Sequence, residues 1–229
     1  MADISTLDPN ILNADTDFEQ NIIHDLWISL VSREASLLGR KEVLTGKAKF
    51  GILGDGKEVP QVAMARAFQK GDWRSGYYRD QTFALATEIC GVKEYFAQLY
   101  ADSDNDTQSK GRQMNAHFAS PTIDKEGNWL DTTETYNSSS DVSCTAGQMS
   151  RALGIALASK KLRNLEDMKS VLTHTGNGNE ISWCTIGDAS TSEGAFWETI
   201  NAAAVMQVPL LTVVWDDGYG ISVPTELQT

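Results

Sequence analysis

The sequence predicts an α/β fold, an open and mostly parallel sheet with helices on both faces. The first observation is a pair of short apolar, β-branched runs. Residues 181–186 end abruptly in Gly187-Asp188-Ala189-Ser190, and residues 210–215 end in Asp216-Asp217-Gly218-Tyr219-Gly220. The second is what joins them: residues 193–206 read as a helix with Phe196, Ile200 and Ala203 on one face, and Pro209 precedes the second run. Strand, helix and strand at this length make a crossover between parallel strands, with a right-handed connection. The third is bulk. The 229 residues are 41% hydrophobic and 22% charged, the balance of a globular chain. A chain this long buries roughly 70% of its unfolded surface.

The other elements follow in order. Residues 17–43 read as a helix, because Phe18, Ile22, Trp27, Leu30, Val31 and Leu38 approximate a 3.6-residue stripe. Shorter helices are expected at 58–69, 82–89 and 92–100. The polar stretch 102–141 reads as a long ordered loop, a kind usually kept for function. Helix returns at 146–161, where alanine and glycine permit close packing. Residues 162–180 match no element. Residues 1–57 are taken as an N-terminal helical extension and 58–229 as a ligand-binding domain.

Charge narrows the function. The net charge is −12, and all 19 Lys and Arg fall between Arg33 and Lys169. From Ser170 onward there are seven acids and no Lys or Arg. With no basic stripe, phosphate-led nucleic-acid binding is not expected. The longest apolar run is far too short to span a membrane. The start MADISTLDPN lacks the basic and apolar regions of a secretory signal. Cys90, Cys144 and Cys184 are odd in number and widely spaced, so they read as reduced thiols, buried as small hydrophobes in a cytoplasmic protein.

Both acidic turns fall at the carboxyl ends of parallel strands, the edge where open α/β sheets bind ligands. Asp188, Asp217 and the backbone carbonyl of a glycine-bracketed Tyr219 are hard oxygen donors. They suit Mg²⁺, which takes a few protein oxygens together with phosphate and water. The amide-rich start of the following helix favours an anion beside it. A metal-bridged diphosphate is a sensible guest, although the same residues also build ordinary turns. Gly54-Asp55-Gly56 looks like a rival motif, but no strand and metal-type turn follow it, and it reads as a loop before a helix.

The run IGDASTSEGAFWETINAAAVMQVPLLTVVWDDGYGISVP resembles the thiamine-diphosphate motif of the α subunit of 2-oxo acid dehydrogenases, or the α portion of a fused α–β chain. That family shows Gly-Asp/Glu-Gly, 26 residues and Asn-Asn-Gly-Tyr; here 26 residues separate Ala189 from Asp216. Gly71-Asp72-Trp73 with Tyr77-Tyr78-Arg79-Asp80, Lys110-Gly111-Arg112-Gln113-Met114 with His117-Phe118, and residues 143–154 are similar to three further family segments, in the same order.

The resemblance implies the thiamine-diphosphate-binding fold, with thiamine diphosphate and Mg²⁺ as cofactors. It makes Asp188, Asp217 and the Tyr219 carbonyl the metal ligands. Gly187, Ala189 and Ser190 would let the backbone approach the diphosphate, and Tyr78 and Arg79 would hold it from the other side. Ser143 and Thr145 match positions near the cofactor rings, His117 matches a catalytic histidine near the substrate, and Gln148 a position that helps bind potassium in some relatives.

Two departures stand out. Ala189 replaces a glycine and needs negative φ. Asp217 replaces an asparagine, and two like charges at ~4 Å repel by about 4 kcal/mol at an effective dielectric of 20, which implies a stricter magnesium dependence than in relatives. The resemblance further implies decarboxylation of a 2-oxo acid and acyl transfer to a lipoyl-bearing acyltransferase component. A β subunit or β domain would complete the site within a homo- or hetero-oligomer. Family α subunits continue past the second metal turn, so these residues are expected to lack the C-terminal part of the domain and to be inactive alone. A transketolase-like carbon–carbon transferase and a non-catalytic module with a degenerate site are the alternatives.

Overall fold

A computed structural model describes residues 16–165 and 178–228 of the chain. Residues 1–15 of the expected N-terminal extension and 166–177 of the unassigned stretch lie outside the described residues. Four strands, β1 (Trp73–Ser75), β2 (Asn137–Ser138), β3 (Ser182–Gly187) and β4 (Leu210–Trp215), form one sheet in the order β2-β1-β3-β4. Every pairing in it is parallel. The helices are α1 (Thr16–Leu44), α2 (Glu58–Ala67), α3 (Gln81–Ala86), α4 (Val92–Leu99), α5 (Gly147–Arg163) and α6 (Gly194–Met206). A small antiparallel hairpin, β5 (Tyr219–Gly220) with β6 (Val223–Pro224), follows β4.

The expected crossover is present, and alternation along β3 explains the layers. Successive side chains point to opposite faces of a strand. Trp183 therefore packs with Met64, Phe68 and Phe83 on the side of α2 and α3. Cys184 and Ile186 pack with Met149, Ala152 and Phe196 on the side of α5 and α6. Ala152 and Ala156 are fully buried, so α5 lies close to the sheet, and the Ser182 hydroxyl donates to the Ala152 carbonyl at 2.9 Å.

Two strands depart from the expectation. β1 and β2 have the sequences Trp-Arg-Ser and Asn-Ser, so β2 interrupts the stretch expected to be loop. They carry no apolar alternation, and their burial is secured by hydrogen bonds. The Arg74 side chain is wholly buried. Its Nε donates to Asp80 at 2.8 Å, Nη1 to Ser138 Oγ at 2.8 Å and to both Asp141 oxygens at 3.1 Å, and Nη2 to the Tyr77 carbonyl at 3.1 Å. Burial alone would weaken the guanidinium's hold on its proton, but Asp141 and Asp80 outweigh it and the net shift is upward. Gly76 completes the arrangement: a methyl group there would fall 1.6 Å from the guanidinium.

α1 runs as expected, yet the apolar stripe faces outward. Phe18, Ile22, Trp27, Leu30 and Leu38 are about half exposed, while Ile28, Ser32, Ala35 and Ser36 form the buried face. The hydroxyls are affordable inside because they are paired. Ser32 Oγ lies 2.7 Å from Thr82 Oγ1, and Gln81 donates to the Ser32 carbonyl at 2.8 Å. No helix among the described residues is long and apolar enough to cross a membrane.

Cys90 and Cys184 are buried as expected, and burial pushes both thiols up to about 12. Cys144 departs from the expectation and is exposed, because it lies in the irregular segment that leads into α5. A thiol reagent at neutral pH is therefore expected to modify Cys144 alone in the native chain, read by mass spectrometry, with Cys90 and Cys184 reacting only on unfolding. Arg74→Met is expected to destabilise the fold by about 3–5 kcal/mol in urea titration, since it strands two buried carboxylates.

Candidate functional site

β3 and β4 pair in register as far as Gly187 opposite Trp215, so the two acidic turns leave the sheet side by side. Asp188 is buried and starts a short 3-10 turn, Ala189–Ser192. Ala189 does not adopt positive φ, so alanine fits where the motif has glycine. The second turn, Asp216-Asp217-Gly218, leads into the β5–β6 hairpin, which folds back onto the first. A methyl group on Gly220 would lie 2.4 Å from the Ala189 Cβ, so only glycine allows this approach.

Thr225 ties the turns together. Its hydroxyl donates to Asp188 Oδ2 at 2.7 Å, and its N–H donates to the Gly218 carbonyl at 2.9 Å. Tyr219 is exposed and stands opposite Pro224 in the hairpin. Gly218 and Thr225 are a hydrogen-bonded pair, so the next pair, Tyr219 and Pro224, is a non-hydrogen-bonded one and the Tyr219 carbonyl points out of the ladder.

Asp217 accepts from Lys57 Nζ at 2.8 Å, and Arg79 Nη1 lies 3.9 Å from the same oxygen. The Lys57 hydrogen bond and charge hold the Asp217 carboxyl below its ordinary range, against a smaller opposing effect of burial. The repulsion expected of this aspartate is thus already countered by a neighbouring ammonium. Arg79 does not pair with Asp80, which is committed to Arg74 and Trp215. Its guanidinium lies 5.8 Å over the Tyr78 ring, and its buried Nε has no hydrogen-bond partner. The Tyr77 and Tyr78 rings stand 4.3 Å apart.

His117 is buried at 2% exposure in a second cluster. Nδ1 lies 3.1 Å from the Asn115 carbonyl and Nε2 lies 2.9 Å from Ser143 Oγ. Ser143 and Thr145 are exposed at the entry to α5. The clusters are joined through the core, since Phe118 N–H donates to Asp141, the partner of Arg74. Gln148 is spent on the Thr185 carbonyl at 2.9 Å. Lys57 and Thr225 stand in no recognised motif; Gly54-Asp55-Gly56 is a loop before α2, as expected, but the residue after it reaches the site.

The donor set fits the implied guests. Among the described residues no group of three or more His, Cys, Asp or Glu is placed to hold a metal. Two carboxylates and a carbonyl are the donor types that suit a cation which also takes phosphate and water. The buried, unpartnered Arg79 Nε suits an anion. An apolar cavity of about 240 Å³, lined by Trp73, Trp129, Ile155, Leu162 and Ile181, lies at the amino ends of β1 and β3, away from these groups.

Residues 30–229 match the family model described as "Dehydrogenase E1 component". The chain is 31% identical over 185 residues to the 2-oxoisovalerate dehydrogenase subunit alpha of Bacillus subtilis, covering 80% of this chain and 47% of that one. It is 26% identical over 183 residues to the mitochondrial 2-oxoisovalerate dehydrogenase subunit alpha of Mus musculus, covering 80% and 35%. The Caenorhabditis elegans protein of that name is 27% identical over 183 residues, covering 80% and 36%. The chain thus matches between a third and a half of the length of these relatives.

Thr225→Val is expected to cost about 1–3 kcal/mol in urea titration, because Asp188 loses its donor while staying buried, and Thr225→Ser is expected to recover most of it.

Proposed function

The chain belongs to the dehydrogenase E1 component family, and from that premise we propose that it is the cofactor-holding part of a 2-oxo acid dehydrogenase that works on thiamine diphosphate with magnesium. The observation that carries the reading is the placement of Asp188 beside the Asp217-Gly218-Tyr219 turn at the carboxyl ends of two paired parallel strands. Asp188, Asp217 and the Tyr219 carbonyl would hold the metal. Tyr78 and Arg79, with the backbone at Gly187, Ala189 and Ser190, would hold the diphosphate. Ser143 and Thr145 would flank the cofactor rings.

When bound, thiamine diphosphate supplies the nucleophilic carbon and the electron sink for decarboxylation. The chain's own contribution is to bind and orient. Arg79 offers charge-assisted donors to a phosphate oxygen, the stronger class of hydrogen bond. His117 is fixed by its neighbours. The Asn115 carbonyl only accepts, so Nδ1 carries the proton and Nε2 is left to accept from the Ser143 hydroxyl. Nε2 is then the atom that can take up a proton on the side of the pair where the substrate would lie.

The relatives' names make 2-oxoisovalerate the first substrate to try. A β subunit or β domain would complete the site, and a lipoyl-bearing acyltransferase would receive the acyl group. Calorimetric titration of thiamine diphosphate into the full-length protein, with magnesium and with chelator, tests the proposal. Magnesium-dependent binding is expected; no heat in either condition overturns it and leaves a non-catalytic module. Asp217→Asn is expected to improve binding in chelator, because it removes the carboxylate that engages Lys57 and lies beside Arg79; unchanged affinity there would count against Asp217 lying beside the diphosphate.

A further inference from the structure

We propose that Lys57, which none of the matched motifs contains, is a diphosphate-binding residue, with Asp217 as the counter-ion it shares with Arg79 when no cofactor is bound. The inference rests on the cofactor reading above. Lys57 precedes α2, and its side chain is only 11% exposed although it is a lysine. It spans 160 residues of sequence to donate to Asp217 Oδ2 at 2.8 Å, the oxygen Arg79 Nη1 approaches to 3.9 Å. Both cations are built on one scaffold, since Gln61 in the first turn of α2 donates to the Arg79 carbonyl at 2.8 Å.

The competition for Asp217 supplies the argument. A magnesium ion that took this carboxylate would neutralise the ammonium's counter-ion, even with the Nζ–Oδ2 contact kept. An ammonium so little exposed is poorly served by water, and leaving it unpaired is costly. The diphosphate would be the anion that comes with the metal, and Arg79, which would hold it, lies beside the same carboxylate. Lys57 donors would turn to it, and the second cation would offset the charge that Asp217 adds to the site.

The test is titration of thiamine, thiamine monophosphate and thiamine diphosphate, all with magnesium, into the full-length protein and its Lys57→Gln and Lys57→Arg variants. The glutamine variant is expected to lose roughly 10- to 100-fold in diphosphate affinity, the worth of a charge-assisted hydrogen bond. It is expected to lose less for the monophosphate and nothing for thiamine, while the arginine variant binds within a few-fold of wild type. Unchanged diphosphate affinity in Lys57→Gln overturns the inference, and so does an equal loss for all three ligands, which would mark a structural role. Wild-type protein that binds none of them overturns the cofactor reading itself. Thermal unfolding monitors each variant, and Lys57→Met, which keeps the aliphatic stem, replaces any glutamine variant that does not fold.

Discussion

A guanidinium sealed from water between two carboxylates is the interaction on which this fold depends. Arg74 and Asp80 are fully buried and Asp141 nearly so. Taking such charges out of water costs several kcal/mol per ion, and attraction offsets that only when the remaining donors and acceptors are matched. Here they are matched in detail. Arg74 reaches both acids, Ser138 and a carbonyl, while Asp80 also accepts from the Trp215 indole at 2.7 Å and from the Thr185 hydroxyl. Asp141 accepts from the N–H groups of Gly76 and Phe118. These partners come from all four strands of the sheet or the segments beside them, so a three-residue strand with one apolar residue can sit at its centre.

The same network sets the sheet edge that carries the acidic turns. Thr185 Oγ1 accepts from the Tyr77 N–H at 2.8 Å, and Asp80 holds Trp215 at the end of β4, where the second acidic turn begins. The chain between Tyr77 and Asp80 is thereby pinned at both ends, and Tyr78 and Arg79 project from it. On the other side Asp141 fixes Phe118 and with it His117. Groups distant in sequence thus rest on one rigid support, the condition under which donors can meet an anion without first being reorganised.

What was legible in the sequence follows from this division of labour. β3, α6 and β4 announce themselves because their burial is apolar and periodic, and the turns after the strands carry the motif residues. β1, β2 and the inner face of α1 stay hidden because their burial is paid for in hydrogen bonds, which leave no period. The outward stripe on α1 misleads for the converse reason: apolar spacing tells which residues share a face, and the hydroxyl pairing with Thr82 and Gln81 decides which face turns in. Asp188, Asp217 and Arg79 could be proposed from motif alone. Lys57 and Thr225 could not, since the side chain of each acts through a contact with a distant turn, and nothing in the local sequence records it.

The segregation of charge along the chain makes the same point for electrostatics. From Ser170 onward there are seven acids and no Lys or Arg, so the segment that supplies both acidic turns has no cation of its own. Taken alone, Asp217 would be a liability beside a diphosphate, of about 4 kcal/mol at 4 Å and an effective dielectric of 20. The fold answers it from the basic middle of the chain, placing Lys57 in contact with that carboxylate and Arg79 just beyond. Attraction to an ammonium in direct contact is of the same order as the repulsion it faces, so Asp217 and Lys57 together present a far weaker field than the aspartate alone. The aspartate is therefore to be judged with the lysine that meets it, as one ion pair rather than as a lesion.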